Sequence, residues 1–383
     1  MRVLSILAIA LVLPATTLAS VLEAGSSAEG GGDAPLDLGE PEQSDDALTP
    51  IINGEAATED EWPQAGAMMM DATMSFGGHV MDFRMLVCSS TLIAPDVVML
   101  AAHCVDPDSF TYGYGTLTDV DIRWSRQADL GAHDGSTIND WPADAVVAWD
   151  WVHHPEWDLF ALDTGIGDSK DIALLFLDTP VLDVPFAYLP TVEEATQVVE
   201  GAEVVVVGWG QQTSDRQPPA GTYGYKQQGV SFIAELGLAE LQVGLEPDDV
   251  RKCHGDSGGP TFLTIATETV DPLRVVGVTS HAYDTTDCRI TGGVDTRVDA
   301  YLTWIDQELR ARCADGTRAW CEEEGIPVAP LPEPIDTGDT GDTDDDGDEE
   351  EGGCGCASGQ AMPGTALGLL GLLGVAVARR RRS

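Results

Sequence analysis

Apolar residues in this chain recur in patterns of three kinds. From Trp62 onward they form short runs broken by Gly, Pro and Asp, and Val204-Val205-Val206-Val207 is a run of buried-strand type that stops at the turn Gly208-Trp209-Gly210. Short runs bounded by turn residues predict strands of an all-β barrel or sandwich. Further on, Val298, Tyr301, Leu302, Trp304, Ile305 and Leu309 repeat at intervals of three and four, which predicts a helix. Two other runs are continuous. Val3 to Pro14 follows Met1-Arg2 and precedes Thr17-Leu18-Ala19, the charged, apolar and small-residue parts of a secretory signal peptide. Ala361 to Ala378 gives eighteen residues ahead of Arg379–Arg382, enough to span a bilayer with the arginines on the cytoplasmic side. Between these patterns, residues 20–50 and 333–351 have few large apolar side chains and are expected to be disordered.

Charge sharpens this division. The 383 residues carry a formal net charge of −46. Residues 20–50 hold eight acids and residues 333–351 hold eleven, with no Lys or Arg in either. The span 51–312 still has 42 acids against 13 basic residues. A negative field of that size repels phosphate backbones and argues against a nucleic-acid partner; it is equally what life in salt would favour. Export makes the eight cysteines readable as disulfides. The expected organisation is a signal peptide over 1–19, an acidic pro-segment over 20–50, a folded domain over 51–312, an acidic linker over 313–353 and a cysteine-containing tail with a transmembrane helix over 354–383. Cys313 and Cys321, eight apart, are expected to form a local bridge.

The candidate chemistry centres on Gly255-Asp256-Ser257-Gly258-Gly259-Pro260, where a serine hydroxyl lies among glycines that leave room for a substrate backbone. A serine is a weak nucleophile at its own pKa, so it needs a base and a group that orients the base. Leu100-Ala101-Ala102-His103-Cys104 supplies an imidazole, and Asp171 heads the apolar run Ile172-Ala173-Leu174-Leu175. His153 and His154, in Val152-His153-His154-Pro155-Glu156-Trp157, read as turn residues, and no cluster of His, Cys and acids has zinc-ligand spacing. Neither a metal nor a cofactor is expected. Asp342-Thr343-Asp344-Asp345-Asp346-Gly347 imitates the opening of a calcium loop, but Gly353 stands where an EF-hand needs its bidentate Glu.

The order His103, Asp171, Ser257 and the three local contexts resemble the trypsin/chymotrypsin family of serine endopeptidases over residues 51 to about 312. That resemblance implies an all-β fold of two antiparallel six-stranded barrels with a C-terminal helix and the active site in the cleft between them. It implies His103, Asp171 and Ser257 as the catalytic triad, the backbone N–H groups of Gly255 and Ser257 as an oxyanion hole, and protein or peptide substrates. Ile51-Ile52-Asn53-Gly54 resembles the start of a mature family member, whose freed amino terminus pairs with the aspartate before the nucleophile, here Asp256. Pro50 precedes the cut and no Lys or Arg lies between Ser20 and Pro50, so an unidentified activating protease is expected in place of trypsin-like self-activation. The resemblance also pairs Cys88 with Cys104 around the histidine loop and Cys253 with Cys288 beside the specificity pocket.

For that pocket the resemblance points to Arg251, Ser280, Ala282, Gly293 and Asp295. His281 replaces the family's usual tryptophan. An unpaired Arg251 on the floor would favour Asp or Glu in the substrate, whereas an Arg251–Asp295 pair would leave a shallow, near-neutral floor for small or medium uncharged residues. A third possibility has Arg251 turned into solvent. In each case cleavage after Lys or Arg is expected to be poor. The tail, Cys354-Gly355-Cys356 followed by the apolar run and four arginines, resembles the MYXO-CTERM sorting signal, which implies a membrane partner and display at the cell envelope or surface, with release by processing. The alternative from another class is a surface adhesin or scaffold that keeps the fold without catalysis.

Overall fold

The computed structural model describes residues 50–131, 141–162, 164–212, 222–267, 271–284, 291–318 and 321. The chain divides into two compact units, Met1–Ile335 and Asp336–Ser383, and every described element belongs to the first. The expected signal peptide, pro-segment, linker, calcium-like stretch and apolar tail, and Cys288, lie outside the described residues. Among the described residues no helix is long and apolar enough to cross a membrane.

After the turn at Pro50–Asn53 the strands are β1 (Glu55–Ala56), β2 (Ala65–Phe76), β3 (His79–Ala94), β4 (Val97–Leu100), β5 (Gly115–Ser125), β6 (Val146–His153), β7 (Ala173–Leu177), β8 (Glu203–Gly208), β9 (Gln227–Leu236), β10 (Glu240–Val243), β11 (Pro260–Thr264), β12 (Leu273–Ala282) and β13 (Gly293–Arg297). The first six after β1 close into a barrel in the order β2-β3-β4-β7-β6-β5. Its long hairpin turns at Gly77-Gly78, where φ is +58° and +84°; paired positive φ values give a two-residue loop the twist of its flanking strands. The second sheet runs β9-β10-β13-β12-β11-β8 and closes through β8 on β9, with β1 as an extra edge strand. Two six-stranded antiparallel barrels are therefore present, as the resemblance implied.

The short apolar runs form strands that bury most of their side chains in the barrel cores. Met68, Met69 and Met70 are all buried, as are all five residues of β7 and Leu86, Leu92 and Trp124. A second cluster, Val204, Val206, Ile233, Leu241, Val243 and Val276, fills the other barrel, and Ile51 is buried within it. The helix read from its apolar spacing begins as a single 3-10 turn over Val298–Tyr301 and continues as an α-helix over Leu302–Ala314, packing Trp304, Ile305 and Leu309 inward.

Folded chain continues past the expected boundary at Arg312. Cys313 and Cys321 are disulfide-bonded, and the Arg318 guanidinium, 4% exposed, meets the Asp96 carboxylate at 2.5 and 2.7 Å. A buried ion pair cannot be broken cheaply, so the described fold includes residues beyond the expected start of the linker at 313. His153 ends β6, and His154 sits in the turn that follows, its ring 5.3 Å from those of Tyr301 and Trp304.

Candidate active site

The base candidate is placed by a strand end and a covalent staple. β4 stops at Leu100, and one 3-10 turn, Ala102–Cys104, carries His103 to the cleft, where Cys104 is tied to Cys88 on β3. The His103 backbone N–H donates to Asp171 Oδ1 at 2.9 Å, and its ring Nδ1 lies 2.7 Å from Asp171 Oδ2. With Nδ1–H facing the carboxylate, Nε2 of the neutral ring is left as the proton acceptor. Asp171 is fully buried; Ser280 Oγ donates to its Oδ2 at 2.6 Å and Thr296 Oγ1 to its carbonyl at 2.9 Å. Burial raises the Asp171 pKa, but the His103 charge, the His103 and Ser280 side-chain bonds and the His103 N–H outweigh it and hold the carboxylate below its usual range. Burial likewise opposes a charge on His103, yet Asp171 and then Asp106 carry its pKa above the ordinary value.

Ser257 reaches the same place from the other barrel. Gly255 has φ +93°, and a Cβ there would stand 2.6 Å from the Tyr223 ring and 2.9 Å from Gly210 Cα, so only glycine fits this turn. A Cβ on Gly258, φ +78°, would lie 3.0 Å from Leu100 Cβ and 3.1 Å from Ala101 N, which shows the serine loop pressed against the strand end that carries His103. Gly258 N–H donates to Thr279 O and Thr279 N–H to Gly259 O, stitching the loop to β12. Ser89 Oγ donates to Gly255 O at 3.0 Å and accepts from Trp209 N–H at 2.9 Å. Among the described residues, the N–H groups of Gly255 and Ser257 take no internal acceptor, the condition for two donors free to meet an oxyanion. The half-buried Ser257 hydroxyl does not hydrogen-bond to His103 among the described contacts. Apo catalytic sites often close such contacts only on substrate.

Asp256 is buried beneath the loop. Its carboxylate accepts from Gly210 N–H at 2.8 Å and Cys253 N–H at 2.9 Å, and burial pushes its pKa up to about 6. Among the described residues no Lys, Arg or His nitrogen stands within ion-pair distance of it. Ile51, at φ +39°, is fully buried, and its segment is pinned to the loop before Lys252: Arg251 N–H donates to Ile52 O, and Asn53 Nδ2 to Pro247 O and Asp249 O.

Two of the three alternatives described for the pocket are not met, because Arg251 neither pairs with Asp295 nor turns into solvent. Arg251 is 1% exposed, so it does not turn into solvent, and its Nη2 donates to Pro247 O at 2.5 Å. Asp295 pairs with Lys252 instead, whose Nζ stands 2.8 and 2.7 Å from the two carboxylate oxygens, with Thr261 Oγ1 touching both groups. Neighbouring side chains of an extended segment point to opposite sides, so only one of Arg251 and Lys252 can face Asp295. Ala282 and Gly293 lie opposite each other on β12 and β13, and Ser280 faces Asp171. Cys253 is disulfide-bonded, its expected partner lying outside the described residues. The grouping with metal-ligand spacing, Cys88, His103 and Cys104, has both sulfurs in a disulfide and offers no thiolate. Sequence reasoning passed over Ser89, Thr261 and Glu240, which carry no motif of their own and acquire roles only through contacts distant in the chain.

The sequence model of the Trypsin family matches residues 51–305. Melanization protease 1 of Drosophila melanogaster is 28% identical over 278 residues, covering 68% of this chain and 66% of that protein. Transmembrane protease serine 9 of Rattus norvegicus is 28% identical, with 69% of this chain covering 22% of that longer protein. Chymotrypsin-like elastase family member 1 of Bos taurus is 26% identical over 68% of this chain and 89% of its own length. The matched region thus spans just under two thirds of the first of these relatives and about a fifth of the second.

Proposed function

The chain belongs to the trypsin family of serine-type endopeptidases, and from that membership we propose that it is an exported peptide-bond hydrolase, made as a zymogen, with His103, Asp171 and Ser257 as its triad. The observation that carries the reading is the buried Asp171 carboxylate holding both the backbone N–H and the ring Nδ1 of His103. In the reaction Ser257 Oγ forms a bond to the scissile carbonyl carbon while its proton passes to His103 Nε2. Asp171 keeps the imidazole in the right tautomer and stabilises its positive charge. The carbonyl electron pair collects on oxygen against the N–H groups of Gly255 and Ser257, each such donor being worth about 3 kcal/mol. The C–N bond then breaks as Nε2–H protonates the leaving amine. Water, deprotonated by the same nitrogen, releases the acid and restores Ser257.

Cleavage between Pro50 and Ile51 would free an ammonium to neutralise Asp256, whose buried charge lacks an ion-pair partner among the described residues. A near-neutral Lys252–Asp295 pair at the pocket supports a preference for uncharged residues over Lys or Arg. The leader and the arginine-terminated tail support passage to the cell envelope, with the tail as membrane anchor.

A fluorophosphonate probe tests the reading. The chain beginning at Ile51 should label at Ser257, and Ser257→Ala and His103→Ala should each abolish labelling and peptide hydrolysis with the fold intact. An unlabelled, folded Ile51 chain would turn the reading to the non-catalytic surface protein. Truncation before Gly353 should release active enzyme to the medium; identical partition of full-length and truncated forms would refute the anchor.

A further inference from the structure

Asp171 belongs by sequence to the first barrel, since it leads into β7, yet its approach is held by the second. Glu240, the first residue of β10, is 1% exposed, and its carboxylate accepts three hydrogen bonds from the five residues that end in Asp171. Oε1 takes Ser169 N–H at 2.8 Å and Ser169 Oγ–H at 2.5 Å, and Oε2 takes Gly167 N–H at 2.5 Å. Directly across the ladder from Glu240 stands Thr296, which donates to the Asp171 carbonyl. Between these anchors Lys170 has φ +59°, an unusual conformation for a residue with a side chain, and Ile172 N–H returns to Lys170 O. The same segment borders a cavity of about 40 Å³ lined by Gly165, Asp168, Glu240 and His281.

We propose that Glu240 is a positioning residue for the triad: from the second barrel it holds the 167–169 turn so that Asp171 meets His103. The inference rests on the triad reading above. A carboxylate suits the task because it only accepts, and all three groups facing it donate. Among the described residues no Lys, Arg or His nitrogen lies within ion-pair distance of Glu240, so the buried charge is offset by these donors. Their loss would let the turn, and with it the aspartate, relax.

The test compares the Ile51 chain with Glu240→Gln, Glu240→Asp and Ser169→Ala, using peptide hydrolysis from pH 5 to 9 and the His103 titration by NMR. Glutamine presents an N–H to one of the donors, and aspartate keeps the charge but is one methylene short. Displacement of a catalytic group by about 1 Å costs on the order of 100-fold, so kcat should fall roughly 10- to 100-fold in both Glu240 variants with KM within about threefold. Ser169→Ala removes one bond of the three and should cost a few-fold. The groups facing His103 are Asp171 and Asp106, both of which raise its pKa. As the Asp171 contact loosens, the His103 titration and the acid limb of kcat/KM should both move to lower pH, in Glu240→Asp as in Glu240→Gln. A normal Glu240→Asp beside a shifted Glu240→Gln would mean that only the field of the charge acts, and overturns positioning. Lower kcat with an unmoved His103 titration overturns it as well, as does activity within twofold of the parent in all three. Should the Glu240 variants fail to fold, the Ser169→Ala shift decides in the same way. If the parent itself fails to label at Ser257, the triad reading has failed, which is distinct from the failure of positioning in an active parent.

Discussion

Removing the Asp295 carboxylate exposes how much of the second barrel rests on one ion pair. Lys252 and Asp295 side chains are 1% and 0% exposed, 2.7 Å apart, and both touch Thr261 Oγ1. In Asp295→Ala the ammonium keeps a single hydroxyl, and breaking a buried pair in this way costs about 3–5 kcal/mol. An independent bound comes from neutralisation. The lysine can escape by losing its proton, and doing so at pH 7 from an ordinary pKa of 10.5 costs at most about 5 kcal/mol. A folded unit of roughly 270 residues unfolds with an entropy near 0.6 kcal/mol/K, so Tm should drop by about 5–9 °C. The sign of the pH dependence follows. With Lys252 neutral in the folded variant and charged in the unfolded chain, the unfolded state binds more protons, and stability should rise with pH by about 1.4 kcal/mol per unit up to the lysine's ordinary pKa. Urea unfolding between pH 7 and 10 measures both quantities. Lys252→Met with Asp295→Leu should recover most of the loss, and adding Thr261→Val, which removes the orphaned hydroxyl, should recover a further 1 kcal/mol or so. A cost below about 1 kcal/mol, a flat pH profile in Asp295→Ala, or strict additivity of the paired substitutions would refute the reasoning.

Three further outcomes are expected. Because His103 titrates above its ordinary value of 6.5 and must be neutral to act as base, the acid limb of kcat/KM should lie above pH 6.5; the matching stabilisation is complete below 6.5 and is lost as pH rises through the raised folded value. In the uncut chain Asp256 titrates near 6 against an ordinary 3.8, so the folded state holds the proton longer and stability should fall by about 3 kcal/mol as pH rises from 3.8 through 6. Denaturant titrations at pH 4 and 7 should show that fall before, and not after, cleavage at Pro50–Ile51. Truncation after Arg312 removes the Cys313–Cys321 bridge and strands the buried Asp96, which should cost about 3–5 kcal/mol by thermal unfolding; a loss below about 1 kcal/mol would refute it.

Local chemistry was legible in the sequence wherever neighbours along the chain supply it. Strands appeared as short apolar runs, the terminal helix as spacing from Val298 to Leu309, and the nucleophile loop as glycines whose positive φ at Gly255 and Gly258 the structure displays. His103 and Asp171 were named from their contexts and are in contact across 68 positions. What needed the tertiary structure was the identity of partners, since hydrogen bonds and ion pairs depend on direction and on burial, neither of which a linear pattern contains. Whether Arg251 or Lys252 faces Asp295 is decided by which side of one extended segment looks inward. Glu240 carries no motif, and only closure of the second barrel sets its carboxylate against Gly167 and Ser169, some seventy residues earlier in the chain. The end of the domain was likewise invisible at Arg312, because the contact that extends it, Arg318 on Asp96, joins residues 222 positions apart.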